Sequence, residues 1–123
     1  MPEGNEGTPD VEGTPDPEGR RFTVRRERIG GGEHIHLLGE MDLSVIGRVD
    51  REMRRAEQTD ATFIVLDLDE LEFLDASGIR LLLHLHARSQ GNGGRLLITR
   101  SASPQVRRVI ELTGVGDALP FAD

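Results

Sequence analysis

Apolar positions in this chain come in short runs separated by glycine, proline and charged breaks. Phe22-Thr23-Val24 alternates and predicts a short strand. Gly30-Gly31-Gly32 predicts a turn, and His34 to Asp42 a second strand running into a loop, so the pair suggests a hairpin. Ile46, Val49, Met53 and Ala56 share one helical face, with Arg48, Arg51, Arg54 and Arg55 elsewhere and Ser44 placed as the N-cap. Thr62 to Leu68 is a continuous apolar run with β-branched residues, which predicts a strand buried on both faces. The next helix runs from about Ser77 to Ser89, apolar over more than one face, and stops at Gly91-Asn92-Gly93-Gly94. Arg95 to Thr99 predicts another strand. Ser103-Pro104 then opens a helix with its face at Val106, Val109, Ile110 and Thr113, ended by Gly114. Strand, strand, helix, strand, helix, strand, helix is the order of an α/β domain, a mixed and largely parallel sheet of four to five strands with helices packed against it.

Composition changes this picture mainly at the N-terminus. Residues 1–19 carry six acidic side chains, no basic one and almost nothing apolar, and Gly7-Thr8-Pro9-Asp10 recurs as Gly13-Thr14-Pro15-Asp16. Such a segment has too little apolar surface to offset its ordering entropy, so it reads as a disordered acidic tail before a domain over residues 20–123. Most of the net charge of −7 lies in this tail, and the remainder is close to neutral. An acidic chain with four Phe and no Trp or Tyr lacks both the charge and the stacking surface for nucleic acid. Without Cys there is no disulfide or thiolate site. No apolar run reaches the ~18 residues of a membrane span, and no signal-peptide pattern opens the chain, so the sequence reads as soluble and cytoplasmic.

The candidate chemistry lies in Phe73-Leu74-Asp75-Ala76-Ser77-Gly78-Ile79-Arg80, between an apolar strand and an apolar helix. A turn there presents one hydroxyl, Ser77, flanked by Asp75 and by Gly78, whose missing side chain permits close backbone approach. Spacing alone makes Ser77 a helix N-cap and Asp75 a turn or cap residue.

These residues resemble the phosphorylation loop of STAS-domain anti-sigma factor antagonists. Leu38-Gly39-Glu40-Met41-Asp42 is similar to the family's Gly-Glu-Leu-Asp segment, and Leu112-Thr113-Gly114-Val115 followed by Leu119-Pro120-Phe121 extends the likeness over residues 21–121. The resemblance implies a bacterial regulatory module of transcription rather than an enzyme. Ser77 would be the phosphoacceptor, Asp75, Ala76 and Gly78 would shape its loop, and Glu40, Asp42, Ser44, Ile79 and Arg80 would form the partner surface. The implied partners are an anti-sigma factor with serine kinase activity and a metal-dependent serine phosphatase, with ATP belonging to the partner and no cofactor in this chain. A phosphate on Ser77 would sit at the helix N-terminus with a gain of ~0.3–1 kcal/mol, adding nearly two charges that repel the partner. A STAS scaffold in a stress-sensing or transporter-associated complex is the alternative.

Other chemistries are weakly supported. Asp67, Asp69, Glu70, Glu72 and Asp75 invite a metal-dependent enzyme reading, but the sequence motif is incomplete and the chain has no Lys, so they read as exposed carboxylates of a strand-to-helix loop. His34 and His36 share a strand face without a third metal ligand in sight, and His84 and His86 diverge on a helix. No Gly-x-Ser-x-Gly elbow and no Lys-bearing phosphate loop is present.

Overall fold

Two consecutive left-handed residues, Gly30 (φ 56°) and Gly31 (φ 83°), close a tight antiparallel hairpin between β1 (Phe22–Ile29) and β2 (Gly32–Met41). Positive φ at both central positions matches the right-handed twist of the flanking strands, which is why glycine stands at each. The computed structural model describes residues 22–122. The acidic segment 1–19 lies outside them.

The chain leaves β2 through one 3₁₀ turn, Leu43–Val45, into α1 (Ile46–Glu57). Val49, Met53 and Ala56 on its inner face are fully buried, as their spacing predicts. β3 (Phe63–Asp67) lies parallel to the first half of β2, from Gly32↔Phe63 to His36↔Asp67. β4 (Leu71–Leu74) then runs parallel to the second half, from Gly39↔Leu71 to Met41↔Leu74. α2 (Ala76–Gly91) follows, and β5 (Leu96–Ile98) pairs with β3. α3 (Pro104–Thr113) starts at the Ser103 cap and stops at Gly114, φ 72°. The sheet has five strands in the order β1-β2-β3-β5, with β4 beside β2, and only the hairpin is antiparallel.

The structure departs from two expectations. The segment between Asp67 and Asp75 is not a loop throughout: Leu71 and Leu74 are buried in the core, and the four-residue β4 carries them. Nor is β3 buried on both faces. Ile64 and Leu66 point into the core, whereas Phe63, Val65 and Asp67 are half-exposed beside His34 and His36. One apolar cluster lies on the opposite face of the sheet, with the inner faces of the helices, so alternation along β3 is retained. The Arg88 guanidinium ties α2 to α1, at 2.8 Å from Asp50 Oδ1 and 3.0 Å from Glu57 Oε2.

Candidate functional site

β2 and β4 end side by side, and the sheet delivers two similar turns at that edge. A register shift at Gly39, whose φ is 97°, brings Met41 opposite Leu74. Each of these apolar residues is followed by an Asp-x-Ser segment: Asp42-Leu43-Ser44 after β2 and Asp75-Ala76-Ser77 after β4.

The geometry of the two turns agrees closely. Asp75 has extended backbone, and its Oδ1 accepts hydrogen bonds from Ser77 N–H at 3.0 Å, Gly78 N–H at 3.2 Å and the Ser77 hydroxyl at 2.5 Å. Asp42, also extended, accepts from Ser44 N–H at 3.0 Å and the Ser44 hydroxyl at 2.6 Å. A carboxylate that takes the first free N–H groups of a helix satisfies donors that otherwise lack an internal partner. Asp75 therefore caps α2, and Asp42 caps the 3₁₀ turn that leads into α1, whose own N-cap position, Val45, has no side-chain cap. Sequence spacing offers Ser44 and Ser77 as caps, with Asp75 as a turn or cap residue; the two serines instead sit two residues inside, each held by its aspartate.

This arrangement also alters where a phosphate on Ser77 would lie. Two of the α2 N–H groups that a phosphate would seek are already taken by Asp75. A phosphoryl group on Ser77 Oγ loses the hydroxyl donor and meets the Asp75 carboxylate, so repulsion directs it away from the helix end and outward. Arg80 is exposed and one turn along the same helix, at the i+3 spacing from which a guanidinium reaches a neighbouring anion.

Exposure sorts the remaining residues. Ala76 and Ser44 are exposed, while Ser77, Asp75 and Glu40 are half-buried. Gly78 is buried with no room for a side chain: a β-carbon there would fall 2.1 Å from Leu74 Cδ1. Ile79 is 5% exposed and belongs to the core, so it supports the loop from below rather than offering a surface to a partner. Leu43, not singled out by sequence reasoning, is 73% exposed between Asp42 and Ser44. The recurrence of apolar-Asp-x-Ser at 41–44 and 74–77 is the sequence signal that pairs the two loops and draws attention to Leu43.

Two half-buried carboxyls outside these turns are held below their ordinary range. Burial would raise Asp67, but the Asp69 N–H, the Thr99 hydroxyl and the His36 ring outweigh it. Burial would likewise raise Asp50, which Arg88 and Arg54 bring down. Asp67 is engaged on the open sheet face and Asp75 caps α2, so the acidic run from 67 to 75 does not converge on one point. Among the described residues no group of three His, Asp or Glu side chains is placed to hold a metal ion. Nor is any of their helices long and apolar enough to cross a membrane.

Residues 25–123 match the family described as STAS domain. Over 90 residues the chain is 28% identical to a Paenibacillus polymyxa protein named anti-sigma F factor antagonist, covering 72% of this chain and 76% of that one. Its fold is similar to that of the anti-sigma factor antagonist SpoIIAA in its unphosphorylated form, with a TM-score of 0.66 at 26% identity over 82% of this chain and 89% of that chain. It is also similar to the Bacillus cell fate determinant SpoIIAA in the phosphorylated form, with a TM-score of 0.60 at 25% identity over 82% and 92% of the two chains. With its five-stranded, mostly parallel sheet and its paired Asp-x-Ser turns, this chain belongs to the STAS domain family.

Proposed function

We propose that this chain is an anti-sigma factor antagonist that works by partner switching, with Ser77 as its phosphoacceptor. The observation that carries this reading is the Ser77 hydroxyl, fixed by Asp75 at the tip of α2 beside the Asp42 loop, in a chain similar to a protein solved in both phosphorylated and unphosphorylated forms. In the unphosphorylated state the rim formed by Glu40, Leu43, Ser44, Ala76 and Arg80, with the buried Asp42 holding its loop from below, binds an anti-sigma factor and so releases a sigma factor. That anti-sigma factor is also a serine kinase. Ser77 Oγ attacks the γ-phosphorus of its bound ATP, the bond to the β-phosphate oxygen breaks, the hydroxyl proton passes to a base and ADP leaves.

The resulting phosphate adds between one and two negative charges to a rim that already carries Glu40, Asp42 and Asp75. Because it is directed outward, it enters the interface instead of the core, and the partner is repelled while the fold is retained. A metal-dependent serine phosphatase resets the switch by hydrolysis. This chain is then a cytoplasmic binding module that performs no chemistry of its own and holds no cofactor.

The test is to incubate the purified protein with ATP and each candidate anti-sigma kinase of its host, and to map phosphate by mass spectrometry with Ser77→Ala as control. Phosphate on Ser77 together with loss of kinase binding is the expected result. A complex that forms with a host protein and is indifferent to phosphate would replace this reading with that of a constitutive scaffold.

A further inference from the structure

The chain contains five serines, Ser44, Ser77, Ser89, Ser101 and Ser103. Ser89 and Ser101 are buried and spend their hydroxyls on the backbone. Ser89 Oγ accepts from Leu96 N–H at 3.1 Å, and the Ser101 hydroxyl donates to the Leu71 carbonyl at 2.8 Å. Ser103 is a working helix cap: its Oγ accepts from Val106 N–H at 3.5 Å and its hydroxyl donates to the Glu72 carbonyl at 3.1 Å. Ser44 and Ser77 differ from all three. Each donates its hydroxyl to the aspartate two residues before it, at 2.6 Å and 2.5 Å, and that aspartate takes the backbone N–H as well. The serine oxygen is thereby held in place without being committed to the backbone.

The likeness of the two serines is positional as well as local. Met41 pairs with Leu74, so Asp42-Leu43-Ser44 and Asp75-Ala76-Ser77 leave the sheet in register on neighbouring strands. Paired strands lie about 4.8 Å apart. Ser44 is exposed where Ser77 is half-buried. A β-carbon on Gly47 would meet no atom within 4 Å outside its own turn, so the surface beyond Ser44 is open. Arg48 follows, four residues after Ser44, with its guanidinium 5.4 Å from the centre of the Phe22 ring. The surroundings of Ser77, an aspartate two residues before and an arginine one turn on, thus recur around a more accessible hydroxyl.

We propose that Ser44 is a second phosphoacceptor, modified by the same ATP-dependent kinase that acts on Ser77. This rests on the partner-switch reading and extends it from one serine to two. Ser44 Oγ attacks the γ-phosphorus of ATP, the bond to the β-phosphate oxygen breaks, the hydroxyl proton passes to a base and ADP leaves. The product has lost its donor to Asp42, and repulsion from that carboxylate turns the phosphate outward, next to the exposed Leu43. Two phosphates together place about three to four negative charges on the rim. Either one lies within the surface that the partner covers. The switch then has two steps, and a chain without Ser77 is still turned off through Ser44.

The test uses the full-length protein, ATP and each candidate anti-sigma kinase of the host, with phosphate mapped residue by residue. The expected result is a doubly modified wild type, one phosphate on Ser44 in Ser77→Ala, one on Ser77 in Ser44→Ala, and none at either position when both are alanine. Ser77→Ala modified at Ser44 should bind the kinase about tenfold more weakly than the same variant before modification. Should an alanine variant fail to fold, the wild type alone decides the outcome, since its two sites are read separately. Phosphate on Ser77 with Ser44 left bare overturns the proposal and leaves the single-site switch standing. Phosphate on neither serine overturns both. Phosphate on Ser103 as fast as on Ser44 would mean that the kinase takes any surface serine, and would also overturn the proposal, as would a phosphate on Ser44 that leaves binding unchanged.

Discussion

Leu74 occupies the space that a side chain on Gly78 would need: a β-carbon there would lie 2.1 Å from Leu74 Cδ1 and 3.1 Å from Met41 Cε. Leu74 is 1% exposed and Met41 is fully buried, so neither can move aside without disturbing the core. Alanine at position 78 would gain up to about 1 kcal/mol of helix propensity. Overpacking a closed core costs about 1–3 kcal/mol and should outweigh that gain. Gly78→Ala is expected to lower the thermal midpoint by several degrees. Gly91→Ala, with no atom within 4 Å of the added carbon, should be neutral or slightly stabilising. Equal midpoints for the two variants in thermal denaturation would show that the Leu74 contact is not what requires glycine.

The Asp75 carboxylate is a single acceptor for three donors, and its removal should be felt in both stability and loop geometry. Asp75→Ala is expected to cost about 0.5–2 kcal/mol, the range for loss of an N-cap. Asp75→Asn keeps the accepting oxygen and should lose less. Hydrogen exchange at the Ser77 and Gly78 amides should speed up in the alanine variant while amides at the centre of α2 stay protected. If exchange at those two amides is unchanged, the cap does not hold the start of the helix in solution.

The helices and the hairpin were legible because local pattern alone decides them. The Val49, Met53 and Ala56 face, the Ser103-Pro104 start and the Gly30-Gly31 turn each follow from one short stretch of chain. β4 was hidden because Leu71 and Leu74 are flanked by Asp69, Glu70, Glu72 and Asp75, and its pairing depends on where β2 shifts register at Gly39. The open face of the sheet was hidden for a related reason. Phe63 and Val65 read as buried from composition, yet their neighbours on β2 are His34 and His36, and only the pairing reveals that the face is shared with polar groups. At the candidate site the loop and its serine were legible. The division of labour between aspartate and serine was not, since both are good caps and the backbone has to choose between them.

Leu43 should be an anchor of the partner interface. It is 73% exposed between the buried Asp42 and the exposed Ser44, so it contributes little to the fold. Fully burying an exposed leucine side chain is worth about 1.5–3 kcal/mol, and loss of about 1.4 kcal/mol is a tenfold change in affinity. Leu43→Ala should therefore weaken binding to the anti-sigma partner about tenfold with an unchanged thermal midpoint. Leu112 is equally exposed, at 72%, but lies near the end of α3, so Leu112→Ala is the matched control. Calorimetric titration showing the same affinity for both variants would remove Leu43 from the interface.

Acid should weaken the fold partly through Asp67. Its Oδ1 accepts from the Asp69 N–H at 2.9 Å and the Thr99 hydroxyl at 2.9 Å, and its Oδ2 lies 3.0 Å from His36 Nδ1. His36 in turn contacts Glu27 Oε2 at 2.8 Å, so this carboxylate is one end of a chain of polar contacts across β1, β2 and β3. Burial opposes the charge on Asp67, but these partners prevail and the folded pKa falls below the unfolded one. A depressed carboxyl pKa adds stability above the unfolded value of about 3.9, and that stability is lost as the pH falls through the folded value. Urea midpoints should therefore decline from about pH 5 downward, and Asp67→Asn should make the decline shallower while lowering stability near neutrality. Asp50 is also depressed and keeps part of the slope in that variant. The same slope in the variant as in the parent would mean that Asp67 binds its proton equally in the folded and unfolded chains.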